Sequence, residues 1–105
     1  PLGYYFFPDV FYKLVSFRES VEKMGVKTSS FLVKGDGEIE LYLPPGKSSI
    51  NTPKIILKSD SDFGKIVENL QAALTTEPLQ SNFKKEYSSL KYIDLRFGNK
   101  IFYKF

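Results

Sequence analysis

The chain has 105 residues, with 15 Lys and Arg against 12 Asp and Glu, and it contains no His, Cys or Trp. That length supports one domain with a modest hydrophobic core. Without His or Cys the chain offers no imidazole base, thiol nucleophile or thiolate metal ligand, so neither an enzyme nor a cofactor site is expected. The net charge of +3 comes far more from Lys than from Arg, which is weak support for nucleic-acid binding.

Aromatic residues are the unusual part of the composition, with ten Phe and seven Tyr making up 16% of the chain. Most of them are expected to fill the core of a small domain, because each buries a large area. Aromatic residues that stay exposed would favour a surface that binds a partner.

The predicted domain spans residues 9–105. Residues 1–8 are interpreted as a tag remnant or a linker from a preceding region, because Pro1-Leu2-Gly3 resembles the scar of a protease-cleaved tag. An aromatic run over residues 4–7 follows that start.

Residues 9–24 are predicted to form an amphipathic helix. Apolar residues recur there at steps of three and four, from Val10 to Met24, as they do on one face of a helix. Asp9 is the expected N-cap, because its side chain can accept a hydrogen bond from the first turn. Gly25 is the expected residue after the last turn, where a left-handed backbone is common.

A β-hairpin is predicted around the tight turn Gly35-Asp36-Gly37. An extended segment over residues 26–34 precedes the turn. Apolar and polar residues then alternate over 38–43 with the period of a half-buried strand. Glu38 and Glu40 are therefore expected on a solvated face of that strand.

The middle of the chain predicts one more strand and a second helix. Residues 54–58 have the β-branched character of a short strand. The acidic stretch 59–62 suits a helix N-terminus, and an amphipathic helix follows from Phe63. A further helical turn is expected around Phe83. These elements predict an α+β domain, a mostly antiparallel β-sheet with two main helices packed on it.

The last two strands are predicted to form a hairpin around Gly98-Asn99. A two-residue loop would place Lys100 opposite Phe97 and mix charged and apolar side chains on one face. A three-residue loop is favoured, because it also sets Asp94 opposite Lys104 as a cross-strand charge pair. Its register pairs Phe97 with Ile101, Leu95 with Tyr103 and Ile93 with Phe105.

The acidic and basic residues suggest two other classes of function. Paired carboxylates can hydrolyse glycosides, but here no cooperating base or metal ligand accompanies them. Aromatic residues and Lys alternate over 100–105, which is loosely typical of a strand that stacks on single-stranded nucleic acid. That alternative, or another small α+β protein-interaction module, stays open. The acidic residues considered are Asp36, Glu38, Glu40, Asp60 and Asp62.

Residues 91–105 read Lys-Tyr-Ile-Asp-Leu-Arg-Phe-Gly-Asn-Lys-Ile-Phe-Tyr-Lys-Phe. This segment resembles the end of the extracytoplasmic β domain of the FtsQ/DivIB family of bacterial cell-division proteins. In that family a Tyr-Ile/Val-Asp-Leu-Arg-aromatic strand turns into a short strand that ends in an aromatic residue. The upstream order of helix, strand pair, strand and amphipathic helix agrees from about residue 9.

The resemblance implies a non-catalytic scaffold of the bacterial divisome that has no cofactor. Its partners would be FtsB/DivIC-like and FtsL-like division proteins, and an extended partner segment would add to the C-terminal edge strand of the sheet. The resemblance also implies an anchor in the bacterial cell membrane, formed by one N-terminal transmembrane helix outside this sequence. This domain would then lie on the extracytoplasmic side at the division site.

The partner-binding residues expected from the resemblance lie in the last hairpin. Arg96 matches an Arg that contacts an acidic partner residue, and Phe97 and Phe105 match aromatic positions of the same surface. Phe102 would share the outer face with Arg96, a favourable pair for a binding hot spot. The full expected set is Arg96, Phe97, Ile101, Phe102, Tyr103 and Phe105.

Alternatives stay open for several of these residues. Arg96 could pair with a neighbouring acid of its own chain, at little energetic gain, and Phe97 and Phe105 could both belong to the core. Asp94 is expected to be structural and to bind Lys104. On the partner-binding hypothesis, Arg96→Glu abolishes binding and leaves the thermal midpoint nearly unchanged.

Overall fold

The computed structural model describes residues 8–46, 52–98 and 100–105. Within these ranges the chain has the predicted α+β architecture, with helices packed on a mostly antiparallel sheet. The interpretation of residues 1–8 as a tag remnant or linker concerns residues that lie outside the described ranges, except for Pro8, which is the first residue of the first helix. The elements in chain order are α1 (Pro8–Lys23), β1 (Ser30–Val33), β2 (Glu38–Tyr42), β3 (Lys54–Lys58), α2 (Phe63–Leu74), α3 (Leu79–Lys85), a 3₁₀ turn (Tyr87–Ser89), β4 (Tyr92–Phe97) and β5 (Lys100–Lys104).

The first helix begins and ends one residue earlier than predicted, at Pro8 and Lys23, but Gly25 has the predicted place after its last turn. Gly25 has a φ of +92°, and the Val26 and Gly25 amides donate to the carbonyls of Val21 and Glu22. These two bonds form a Schellman motif, which satisfies the last carbonyls of the helix. The prediction of Asp9 as N-cap is wrong, because the helix starts at Pro8. A proline suits the first helical position, since its fixed φ is already helical.

The second helix begins where the acidic stretch predicted it. Asp62 is the N-cap of α2, and its Oδ1 accepts the Lys65 amide at 3.2 Å. The predicted turn around Phe83 is the helix α3. None of the helices in the described ranges is long and apolar enough to cross a lipid bilayer.

The five strands lie in the order of the sequence, from β1 at one edge to β5 at the other. All neighbours are antiparallel except β3 and β4, which are parallel. A parallel pair needs a crossover connection, and here α2 and α3 provide it. Both edge strands therefore have one side without a strand neighbour among the described residues.

The core lies between the helices and one face of this sheet. Alternate residues of the strands point into it, and α1 and α2 cover it with their apolar stripes. Phe17 and Phe63 connect the two helices through an edge-to-face contact with ring centroids 5.7 Å apart. Burying each large apolar side chain contributes about 1.5–3 kcal/mol. The buried set includes Leu14, Phe17, Val21, Ile39, Leu41, Leu43, Ile55, Leu57, Phe63, Ile66, Leu70, Leu90, Ile93 and Leu95.

The predicted three-residue loop and register of the last hairpin are wrong. Phe97 pairs with Lys100 across the turn, where Gly98 has a φ of +66°. Farther from the turn, Asp94 pairs with Phe102, because the register shifts by one residue between Asp94 and Phe97. The shift is a β-bulge, which lets apolar residues share a face despite the short loop. As a result Ile93 faces Tyr103 on the core side.

Candidate protein-interaction surface

The face of the sheet turned away from the helices carries charged and aromatic side chains, and we call it the outer face. The strand registers place its residues in rows across the sheet. The central row runs from Leu32 through Glu40, Ile56 and Asp94 to Phe102. A neighbouring row contains Tyr42, Lys54, Tyr92 and Lys104.

Glu40 is the centre of one polar cluster on this face. Its carboxylate accepts a 2.6 Å hydrogen bond from the Tyr42 hydroxyl and lies 2.9 Å from Lys54 Nζ and 3.1 Å from Lys34 Nζ. Only 4% of Glu40 is exposed, so the expectation of a solvated position for it is wrong. Its partners are long side chains on its own strand, on β3 and in the turn after β1.

Arg96 is the centre of a second polar cluster. Its Nε and Nη2 donate to Oδ1 and Oδ2 of Asp94 at 2.9 and 2.7 Å, a bidentate pair. Its Nη1 donates to Glu38 Oε1 at 3.0 Å. The alternative reading of Arg96, as the partner of acids in its own chain, is therefore the one realised in the free domain. The expected pair between Asp94 and Lys104 is absent from the described residues, where Asp94 binds Arg96 instead.

Glu38 joins the two clusters into one network. Its other carboxylate oxygen lies 3.3 Å from Lys34 Nζ, and Lys34 also binds Glu40. The chain of ion pairs thus runs from Lys34, the residue after β1, across β2 to β4, and Lys54 adds β3. Such a connected network holds side chains on three strands and the turn after β1 in one arrangement.

The network shifts the acid–base properties of its members. The Tyr42 hydrogen bond, with help from Lys54 and Lys34, lowers the pKa of Glu40 to about 2 although burial opposes this. Burial also acts on Asp94, but the hydrogen bonds from Arg96 outweigh it and lower the pKa of Asp94. Hydrogen bonding to Asp94 raises the pKa of Arg96. All three groups are therefore charged at neutral pH, which suits a structural network rather than proton transfer.

An aromatic and basic patch lies beside the network at the β5 edge. Phe97 and Phe102 are 52% and 49% exposed and meet edge to face with centroids 5.4 Å apart. The guanidinium carbon of Arg96 lies 5.4 Å from the Phe97 ring centroid, within the range of a cation–π contact. We call Phe97, Lys100, Phe102 and Lys104 the edge patch. Part of it lines an open depression of about 690 Å³, together with Tyr92 and Asp94.

The structure divides the six predicted site residues between the two faces of the hairpin. Arg96, Phe97 and Phe102 lie on the outer face. Ile101, Tyr103 and Phe105 are half-buried and pack against the core. The two aromatic positions taken from the resemblance therefore differ, because Phe97 is exposed while Phe105 contacts the core.

The predicted site leaves out Lys100 and Lys104. Both side chains are exposed, and neither forms an ion pair with any carboxylate of the described ranges. Their spacing around Phe102 was the available signal, since residues two apart on a strand share a face.

Searches with the whole chain found no matching family model, no matching curated protein and no matching solved structure. Within the described ranges, no group of three or more Asp and Glu residues is arranged to hold a metal ion.

Proposed function

We propose that this chain is a non-catalytic protein-interaction domain of the FtsQ/DivIB type. On this proposal it binds an extended segment of an FtsB/DivIC-like partner, next to an FtsL-like protein, by strand addition to β5. The observation that carries the proposal is the position of β5 at the edge of the sheet with two exposed aromatic side chains beside it.

Strand addition uses backbone groups that an edge strand leaves without a partner. Every second residue of an edge strand directs its N–H and C=O away from the sheet. An added strand satisfies these groups and supplies its own side chains to neighbouring pockets and patches. The main-chain hydrogen bonds then give affinity, and the exposed side chains give specificity.

Of the two edges, β5 suits this role better than β1. The β1 strand has four residues, and its outer-face apolar residue, Leu32, lies next to the ion-pair network. The β5 strand has five residues, and Phe102 together with Phe97 forms an exposed aromatic pair. Exposed aromatic residues at the centre of a contact are enriched in binding hot spots.

Arg96 has a supporting part in this proposal. Its guanidinium binds Asp94 and Glu38 and lies against the Phe97 ring. These contacts hold Arg96 in place beside Phe97, which belongs to the edge patch. A partner carboxylate that approached Arg96 would meet two carboxylates of this chain already in place.

Single-stranded nucleic acid fits the same face less well. Phe102 and the two Lys of β5 are residue types that bind such strands. However, Lys34, Lys54 and Arg96 on the same face are already paired with Glu38, Glu40 and Asp94, so their charges are not free to bind a phosphate backbone. The nucleic-acid alternative therefore enters the experiment as a competing ligand.

The test is a calorimetric titration of this chain with the extracytoplasmic C-terminal segment of its FtsB/DivIC-like partner, with and without the FtsL-like protein. Two substitutions of equally exposed residues give a matched pair, since Phe102 and Leu32 are 49% and 47% exposed on opposite edges of one sheet face. Phe102→Ser is expected to weaken binding at least tenfold, as a hot-spot residue does. Leu32→Ser is expected to leave binding unchanged.

Hydrogen exchange separates strand addition from side-chain docking alone. The outward amides of β5 should exchange rapidly in the free chain and become protected when the segment binds. Binding without protection of β5, or equal losses from Phe102→Ser and Leu32→Ser, would contradict the proposed mode. A salt-sensitive affinity for a single-stranded oligonucleotide, with no binding of the protein segment, would favour the nucleic-acid alternative.

A further inference from the structure

We propose that the β5 edge selects an acidic strand, and that Lys100 and Lys104 provide the charge recognition that the motif resemblance assigns to Arg96. The matching segment carries a carboxylate, then an apolar residue two positions later, then a second carboxylate two positions after that. This inference rests on the proposed strand addition at β5 and specifies the partner of that same edge.

The register of β5 puts the three recognising side chains in one line. Lys104 lies opposite Tyr92, Phe102 opposite Asp94 and Lys100 opposite Phe97. All three side chains therefore point to the outer face, spaced about 6.7 Å apart along the strand. Residues of an added strand that lie directly opposite them would contact the same three side chains.

The charges of Lys100 and Lys104 are available to pair with a partner carboxylate, whereas the charge of Arg96 is already paired. Lys100 and Lys104 are exposed, and the carboxylates of the described ranges leave both without an ion pair. Arg96 already binds Asp94 and Glu38, and Glu38 also binds Lys34, so the charge of the guanidinium is balanced by carboxylates of its own chain. A partner carboxylate is therefore attracted more strongly to the two lysines than to Arg96.

The same line disfavours a second copy of this chain as the added strand. An antiparallel pair of β5 strands centred on Phe102 would set Lys100 of each copy opposite Lys104 of the other. Like charges directly opposite each other are destabilising, and lysine on an edge strand is a common device against self-pairing. The other edge strand, β1 (Ser30–Val33), contains no acid to replace the missing carboxylates.

Complementarity then defines the partner's chemistry. The two residues between the acidic, apolar and acidic positions lie on the core side, next to Ile101 and Tyr103, and are expected to be apolar. Because lysine flanks Phe102 on both sides, the pattern reads the same in either strand direction. The acidic, apolar, acidic pattern therefore specifies the composition and spacing of the partner strand, and it allows both a parallel and an antiparallel orientation.

Three synthetic peptides test this inference directly. The matching probe is acetyl-Thr-Glu-Val-Leu-Val-Glu-Thr-amide. A charge-reversed probe replaces both Glu by Lys, and a spacing control, acetyl-Thr-Val-Glu-Leu-Glu-Val-Thr-amide, keeps the composition and moves the acids to a spacing of two. Each is titrated into the chain while the β5 amide resonances are followed by NMR. The matching peptide is expected to bind about tenfold more tightly than either control at low salt, with the advantage shrinking near 0.5 M salt.

Charge-swapped protein provides the reciprocal arm. Lys100→Glu with Lys104→Glu is expected to reverse the preference, so that the lysine peptide binds more tightly than the glutamate peptide. The control is Lys13→Glu with Lys65→Glu, which changes the net charge equally at two exposed helix positions and is expected to keep the original preference. Equal affinities for all three peptides, or no binding of the matching peptide to the folded chain, would overturn the inference.

The calorimetric titration of the FtsB/DivIC-like segment separates the two levels of the proposal. If that segment binds and loses affinity with Phe102→Ser but not with the double Lys substitution, the charge code is wrong and the scaffold proposal stands. If the glutamate peptide binds as expected and the division-protein segment does not, the edge accepts acidic strands from a different class of partner.

Discussion

The guanidinium of Arg96 binds both carboxylate oxygens of Asp94, two residues earlier on the same strand, at 2.9 and 2.7 Å. The Arg96 amide also donates to Asp94 Oδ1 at 3.1 Å. Both side chains lie on the outer face of the sheet, where Asp94 is buried and Arg96 is partly exposed. Glu38, 58 residues away, accepts from the same guanidinium and connects β4 to β2. Asp94 and Arg96 of the hairpin motif thus have a structural role, because they connect strands of the sheet.

Loss of this guanidinium is expected to destabilise the fold. Arg96→Met leaves the buried carboxylate of Asp94 without its bidentate donor, which costs about 1–3 kcal/mol in the free energy of unfolding. Arg18→Met is the control, because Arg18 pairs with the exposed Glu22 and donates to Thr28 Oγ1 at 2.8 Å, contacts near the surface that together contribute about 1 kcal/mol or less. Urea denaturation of both variants measures the difference. Equal losses would contradict the structural role. By the same reasoning Arg96→Glu is expected to destabilise the fold, in contrast to the unchanged thermal midpoint expected from the partner-binding hypothesis alone.

Acid is expected to weaken the fold through Glu40. Its pKa is about 2 in the folded chain against an ordinary 4.5, so folding favours the ionised form. The stabilisation is complete above the ordinary pKa and is lost as the pH falls from about 4.5 to about 2, up to about 3 kcal/mol. Glu40→Gln should therefore be less stable than the natural chain at neutral pH, and the difference should shrink on acidification.

Urea denaturation between neutral pH and pH 2 checks that dependence. Glu19→Gln, at an exposed position of α1, controls for the general effect of removing one carboxylate. A stability difference between Glu40→Gln and the natural chain that stays constant over this range would show that Glu40 does not carry the acid sensitivity.

Side chains on the two faces of β5 should differ in their effect on stability. Phe102→Ala removes an exposed ring and is expected to cost under about 1 kcal/mol, since surface substitutions are usually mild. Tyr103→Ala removes a ring that packs against the core and contacts Phe105, with an expected cost of about 2–4 kcal/mol. Thermal and chemical denaturation of the two variants test the assignment of faces. A reversed order of these losses would contradict the assignment of Phe102 to the outer face and Tyr103 to the core side.

The end of α1 makes a backbone prediction. Gly25 has a φ of +92°, and no atom lies within 4 Å of a Cβ added there. The cost of Gly25→Ala is therefore one of backbone strain alone, about 1 kcal/mol. At Gly35 an added Cβ also meets no atom within 4 Å, and the backbone is not left-handed. Gly35→Ala is thus the control and should be neutral or slightly stabilising, whereas equal effects would contradict the assigned helix end.

Local patterns in the sequence were enough to predict most elements of this fold. Residues 54–58 and the helix from Phe63 lie where β-branched content, an acidic cap and apolar spacing placed them. The glycine after α1 was equally predictable, because a left-handed residue is a local requirement. These features depend on neighbours within a few positions, which the sequence displays directly.

The candidate site depended on longer-range relationships. The sequence by itself determined the alternation that sets Lys100, Phe102 and Lys104 on one face of a strand. The tertiary structure decided that the last hairpin has a two-residue loop and a β-bulge. Its register depends both on the geometry of the turn and on how the faces of the two strands pair over their whole length. It also decided that Arg96 meets Glu38 across 58 residues of chain. The order of the strands in the sheet brings such residues together, and the spacing of residues within one strand does not encode that order.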